Sequence, residues 1–161
     1  MTVAPFRRRA AAAAFVLILA GLSPQAPAAA EGARGPVTNL PLPRFVSMRG
    51  ETANARRGPS LDQRVDWEFV HRGLPLEITA EYGQWRRVRD AEGAGGWVHH
   101  ALLSGARTGL VLGEEPVPLR AGPTEAAAVR ALAEPGVIGR LAACRNDWCE
   151  IETDGAKGWL P

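Results

Sequence analysis

Two cysteines and three histidines are the side chains of this 161-residue chain whose types suggest chemistry beyond packing. Cys144 and Cys149 flank Arg145-Asn146-Asp147-Trp148, where a hairpin between two strands is expected, and in an oxidising compartment such a pair reads most simply as a disulfide. Two alternatives remain beside it. A redox pair would show C-x-x-C spacing at a helix N-terminus that lowers one thiol pKa, whereas here the spacing is longer and no helical pattern follows. Zinc would need further ligands, for which His71, His99 and His100 are available beside carboxylates, yet adjacent His99 and His100 point to opposite faces of an extended chain. No metal and no cofactor is expected, and intact mass with and without reductant separates the alternatives. Catalysis finds little to use. Both cysteines sit in one hairpin and paired carboxylates for acid–base work do not stand out, so the expectation is a protein that is not an enzyme.

Binding is better provided for. Trp67, Tyr82 and Trp85 are amphipathic rings that give contact area at low entropic cost, and Arg57, Asp66 and Arg87 beside them suit carboxylates, amines or sugar hydroxyls. The plainer reading stands next to this one, that Trp67 and Trp97 are simply core. Trp85-Arg86-Arg87-Val88-Arg89 alternates awkwardly for a strand, since period two groups Trp85 with Arg87 and Arg89 and Arg86 with Val88. The expectation puts Val88 in the core and Trp85 on a partly exposed face, with arginines at its edges.

Residues Met1 to Ala30 have the profile of a secretory leader. Arg7-Arg8-Arg9 is basic, Ala10 to Leu22 is apolar but short for a bilayer span, and Ala28-Ala29-Ala30 offers small residues to a peptidase. Cleavage is expected after Ala30, with periplasmic or secreted localisation and no stable membrane insertion afterwards. A lipoprotein leader would need a cysteine just after the apolar run, and the first is Cys144. The whole chain has 19 basic and 17 acidic side chains, a net charge of +2; without the three leader arginines the remainder stands at −1. A domain near neutrality has no field to collect nucleic acid, which is set aside as a partner.

The elements that position these residues follow from an internal repeat. Arg56-Arg57-Gly58-Pro59-Ser60 lies over Arg120-Ala121-Gly122-Pro123-Thr124 at a separation of 64; Trp85 over Trp148 follows at 63, and Gly96-Trp97 over Gly158-Trp159 at 62. Two copies are too few for a solenoid, so each must own its core. Short β-branched and aromatic runs between Gly, Pro, Asn and Asp clusters predict an all-β barrel or sandwich in each copy. Only Glu125 to Ala133 favours helix by composition, and Pro123 and Pro135 bracket it, so a long loop with one turn is expected there. At the 63-residue offset Cys144 and Cys149 match Glu81 and Arg86, a charge pair in the place of the bridge.

Asn54-x-Arg56-x-Gly58-Pro59-Ser60, Gly73-Leu74-Pro75-Leu76, Trp85-Arg86-Arg87-Val88 and Gly96-Trp97-Val98, in that order, resemble the bacterial SH3 domain family. Leu119-Arg120-x-Gly122-Pro123-Thr124, Pro135-Gly136-Val137-Ile138-Gly139, Trp148-Cys149-Glu150-Ile151 and Gly158-Trp159-Leu160 repeat the pattern more loosely. The resemblance implies two tandem SH3-like β-barrels after a leader at 1–30 and a linker at 31–43, the first barrel at 44–105 and the second at 106–161. It also implies that the modules bind a cell-wall peptide or glycan, or an envelope protein. The first copy continues past its Gly-Trp through His99-His100-Ala101-Leu102-Leu103 and the second has no such tail, which sets closure of the second barrel apart from the first.

Overall fold

The structure, a computed structural model, describes residues 33–161; the leader and its cleavage site at Ala30 lie outside them. Among the described residues every regular element is a strand apart from one 3-10 turn. The first unit has β1 (Arg44–Met48), β2 (Thr52–Arg56), β3 (Val65–Val70), β4 (Pro75–Tyr82), β5 (Trp85–Arg89), β6 (Gly95–His99), the 3-10 turn His100–Leu102 and β7 (Leu103–Ser104), paired in the order β3-β2-β6-β5-β4-β1-β7. The second has β8 (Thr108–Leu110), β9 (Val117–Arg120), β10 (Val129–Ala133), β11 (Ile138–Arg145), β12 (Trp148–Glu152) and β13 (Lys157–Leu160), in the order β10-β9-β13-β12-β11-β8. The two orders coincide strand for strand. What differs is β7, which pairs with β1 through Ser47 and Ser104; among the described residues β8 has no such neighbour on its outer side.

Each core is what the alternating apolar positions supply. Met48, Phe69, Leu76, Ile78, Val88 and Val98 fill the first barrel, and Val111, Leu119, Ala133 and Ile151 form the thinner second core. Glycines let the strands close. A Cβ on Gly96 would stand 2.7 Å from the Arg56 carbonyl oxygen, and one on Gly158 would stand 3.0 Å from that of Arg120, so the same close approach recurs in both copies. Residues 129–133 correct the expected loop. They are strand, because pairing of Val129 with Arg120 and of Ala133 with Val117 along the edge of β9 outweighs the helical preference of Ala and Leu. The loop before them ends at Ala128.

β5 resolves its own alternation by burying a charge. Val88 and Arg86 face inward, while Trp85 is half-buried and Arg87 and Arg89 are exposed. Arg86 lies directly across from Glu81, with Nε 3.6 Å from Oε1. Glu81 is fully enclosed and takes most of its partners from the segment before β1. The Val37 amide (3.0 Å), the Thr38 amide (2.9 Å), the Thr38 hydroxyl (2.6 Å) and Arg44 Nη2 (2.6 Å) all donate to its carboxylate. Residues 33–42 thus form a strap closed on itself by Gly35 N–H to Leu40 O and Leu42 N–H to Ala33 O, and Leu42 packs on the first core. Desolvation raises the Glu81 pKa, but the Thr38 hydroxyl and amide, Arg44 and the Val37 amide outweigh it and hold the group at about 2.

The second barrel has its disulfide at the matching place. Cys144 and Cys149 are opposite each other in the β11–β12 hairpin and are bonded, as the sequence predicts.

The unfolded Glu81 titrates near 4.5 and the folded one near 2, so its stabilisation is fully present above about pH 4.5 and is lost as pH falls through about 2. Glu81→Gln strands Arg44 and Arg86 in the interior and is expected to cost about 3 kcal/mol in urea unfolding at pH 7, with faster hydrogen exchange at Val37 and Thr38. An unchanged midpoint would refute the role. The disulfide closes a very short loop, so Cys144→Ser/Cys149→Ser should destabilise the second barrel by about 2 kcal/mol or less. A larger loss would mean that the bridge, and not the four-residue core, holds that barrel.

Candidate functional site

Three strands of the first barrel bring a row of side chains to the outer sheet face. Arg56 on β2 is directly across from Trp97 on β6, and Trp97 is directly across from Arg87 on β5. Opposed residues of antiparallel strands share a face, and their neighbours Ala55, Val98, Arg86 and Val88 are all buried, so the row points outward. An indole therefore lies between two guanidinium-bearing strands. Arg56, Arg57, Asp66, Arg87 and Trp97 line one cleft of about 340 Å³. Arg56 also lines a second cleft, of about 260 Å³, with Asn54, Leu61, Trp85, His99 and Leu102.

The loop 57–64 between β2 and β3 walls both clefts and is rigidly tied. Arg56 Nη1 donates to the carbonyls of Leu61 (2.9 Å) and Gln63 (2.7 Å), and the Arg57 amide closes the loop on Arg64 O at 3.0 Å. The Ser60 amide donates to Gly58 O at 2.9 Å, the tight turn that Gly58-Pro59 favours. The second barrel repeats the scheme at an offset of 64: Arg120 Nη1 donates to Ala127 O, the Ala121 amide to Ala128 O and the Thr124 amide to Gly122 O. The paired sequence motif is thus a loop-fixing device. In the sequence its arginine stands only as one position of the repeated motif, and the signal for its role is the recurrence of Arg two residues before Gly-Pro in both copies.

The residues singled out from sequence separate into groups. Arg57, Asp66 and Arg87 converge on the Trp97 cleft. Arg57 and Asp66 are already partners, with Arg57 Nε 3.0 Å and Arg64 Nε 2.6 Å from the Asp66 carboxylate. These two hydrogen bonds, Arg57 first, hold the Asp66 pKa below its usual range. Asp66 therefore orients Arg57, and Arg87, with no acidic partner among the described residues, is the cation open to a ligand. Trp85 belongs to the second cleft, edge-on to His99 with ring centroids 5.6 Å apart. His100 beside it is held below the usual histidine range by burial and by His99, Arg86 and Arg49, and its Nε2 lies 2.7 Å from Gln84 Oε1. Tyr82 faces Trp85 across the hairpin and lines neither cleft. Trp67, on the edge strand β3 opposite Ala55, is 46% exposed and also lines neither, which answers the plainer reading of it as core. Among the described residues no three His, Cys, Asp or Glu side chains gather as metal ligands.

In the second barrel the equivalent row is closed. Trp159 lies across from Arg120 and from Glu150, where the first barrel has Arg87, and Glu150 is engaged by Lys157 at 3.3 Å. Arg145 sits over the Trp159 ring at 5.9 Å, and the indole is 9% exposed.

The family model of the bacterial SH3 domain matches residues 49–105 and again 113–161. The chain belongs to the bacterial SH3 domain family. These matches cover most of the chain and fall on the two sheets, so the tandem barrels expected from the repeat and the resemblance are present. Modules of this family typically bind cell-wall or protein ligands. Among curated proteins, none matches the chain.

Arg56→Ala should free the loop without touching the core. Hydrogen exchange at the Arg57, Ser60 and Gln63 amides is expected to accelerate about tenfold or more, as charge-assisted hydrogen bonds contribute roughly 1.5–3 kcal/mol. Unchanged protection would mean that backbone turns alone fix the loop.

Proposed function

We propose that the chain is exported and works in the cell envelope as a non-catalytic binding protein whose first barrel recognises peptidoglycan or its peptides. The observation that carries this is the open row Arg56–Trp97–Arg87, with Arg57 held beside it by Asp66. Guanidinium groups pair in forked geometry with carboxylates, which wall peptides carry, and an indole face between them suits the apolar face of a sugar or a peptide plane. Export is supported by the leader-like residues 1–30 and by the Cys144–Cys149 bridge, a bond that persists in oxidising compartments. Among the described residues no helix is long and apolar enough to cross a membrane. The exposed apolar edge formed by Val65, Trp67 and Val70 favours a second reading, in which the same module holds an envelope protein.

The two readings part in a sedimentation assay. The protein should pellet with purified wall sacculi, and Arg87→Glu, a change at an exposed position, should weaken retention about tenfold and make what remains less sensitive to salt. Equal retention of the wild type and Arg87→Glu, with both folded, would remove the row as the site. Absence of retention together with specific recovery of an envelope protein would favour the second reading.

A further inference from the structure

The two barrels meet where a turn of the first forms one wall of a cleft on the second, and the first barrel carries the same cleft without that wall. On the second barrel the cleft is lined by Thr108, Ile138, Arg140, Glu152, Thr153 and Asp154, and the turn His71-Arg72-Gly73 completes it. The contact is built: Thr108 Oγ1 donates to the Gly73 carbonyl at 2.6 Å, and a Cβ at Gly73 would lie 3.4 Å from Ile138 Cγ2. Sixty-three residues earlier than those six stand Phe45, Pro75, Glu77, Arg89, Asp90 and Ala91. All of them line a single cleft of about 420 Å³ on the first barrel. One copy of the surface seats a neighbour, and among the described residues its equivalent seats none.

The differences between the two clefts select an occupant. Phe45 replaces Thr108 and is 69% exposed, an unusual position for an aromatic side chain on a strand. The cross-strand ion pair Arg140–Glu152 becomes Glu77–Arg89, with its signs reversed. The following turn adds Asp90 and Glu92, so this cleft presents three carboxylates against one guanidinium. Asp90 Oδ1 accepts the Glu92 and Ala94 amides at 3.0 and 2.9 Å, which fixes the turn and leaves the negative charge in place. An exposed ring beside net negative charge suits an apolar side chain flanked by Lys or Arg, with a cation over the ring face.

We propose that this first-barrel cleft is a docking site for a basic, partly apolar segment of another protein chain. A second copy of this chain fits poorly. Its own counterpart of the seated turn is Glu134-Pro135-Gly136, which would bring a carboxylate to an acidic rim. The cleft shares no lining residue with the Trp97 cleft, so loss of wall binding at the latter leaves this inference standing.

The test is a titration of the isotope-labelled protein, followed by amide chemical shifts, with two synthetic peptides of equal length, one alternating Lys and Leu and one alternating Glu and Leu. The Lys–Leu peptide is expected to move the signals of Phe45, Glu77, Asp90 and Gly93, and the Glu–Leu peptide to leave them in place. Phe45→Ala and, separately, the exposed change Glu92→Lys should each weaken binding about tenfold or more, as truncation at an anchor does. Either variant suffices if the other fails to fold. Four results would overturn the inference: no binding of the Lys–Leu peptide, equal binding of both peptides, shifts confined to other surfaces, or concentration-dependent shifts at Phe45 without peptide, which would make a second copy the occupant.

Discussion

One buried carboxylate decides which way a whole strand faces. Glu81 is enclosed where β4 and β5 pair, and an ion in that position requires charge and hydrogen bonds around it. Arg86 supplies part of the charge, and it does so only by turning inward. Since side chains alternate with a period of two, Arg86 inward puts Val88 inward and sends Trp85, Arg87 and Arg89 to the outer face. A slip of one residue would bury Arg87 and expose Val88. The same carboxylate gathers the strap before β1, and the fit is close enough that a Cβ on Gly35 would collide with Glu81 Oε2. Arg44 also bonds to it through Nη2, while its buried Nη1 finds no partner among the described residues. The strap has only Leu42 to offer the core, so its order depends on the carboxylate.

The sequence made the framework readable and left the polar interior hidden. The Gly-Pro and Gly-Trp pairs recur in order because each meets a backbone requirement, a tight turn or a close strand approach, that no other residue type meets as well. Their spacing therefore carried the tandem arrangement, and Cys144–Cys149 was legible from the expected hairpin together with the leader that points to an oxidising compartment. Edge strand β10 was hidden because Ala and Leu favour helix and the loop 121–128 that joins it to its partner β9 is too long to read as a tight hairpin turn. The Glu81–Arg86 match to the cysteines was legible as a pair, but its burial and its hold on Val37 and Thr38 were not, since a linker of mixed composition gives no sign that its amides aim at one carboxylate. Of the site residues, Arg57, Asp66 and Arg87 come together, while Trp85 and Trp67 diverge, because strand register and edge position, which no local pattern encodes, determine which rings share a cleft.

The two barrels keep one backbone plan and change its charges at matching places. Glu81–Arg86 becomes a disulfide, Glu77–Arg89 becomes Arg140–Glu152, and Arg87 becomes Glu150. The first two changes keep a cross-strand tie, and for a polar pair its contribution of about 0.2–1 kcal/mol depends on complementarity and not on which strand holds which sign. The third changes the outer face. With Glu150 in the row, the second barrel satisfies its charges internally through Lys157, and Arg145 covers Trp159. With Arg87 there, the first barrel keeps an uncompensated cation beside a half-buried indole.

A barrel whose polar groups are all paired gains little by binding a charged ligand, because each new contact must displace an existing one. The second barrel is in that condition along its Trp159 row, while its cleft at Thr108 and Ile138 is used to seat the first barrel. Contact at Gly73 orients the first barrel through a backbone carbonyl, which side-chain divergence does not remove. The first barrel thus keeps its row open, and its Phe45 cleft holds no neighbour among the described residues. Two equal sites would give avidity for a repetitive polymer, whereas binding by the first barrel alone, as in the proposed function, would give a single site.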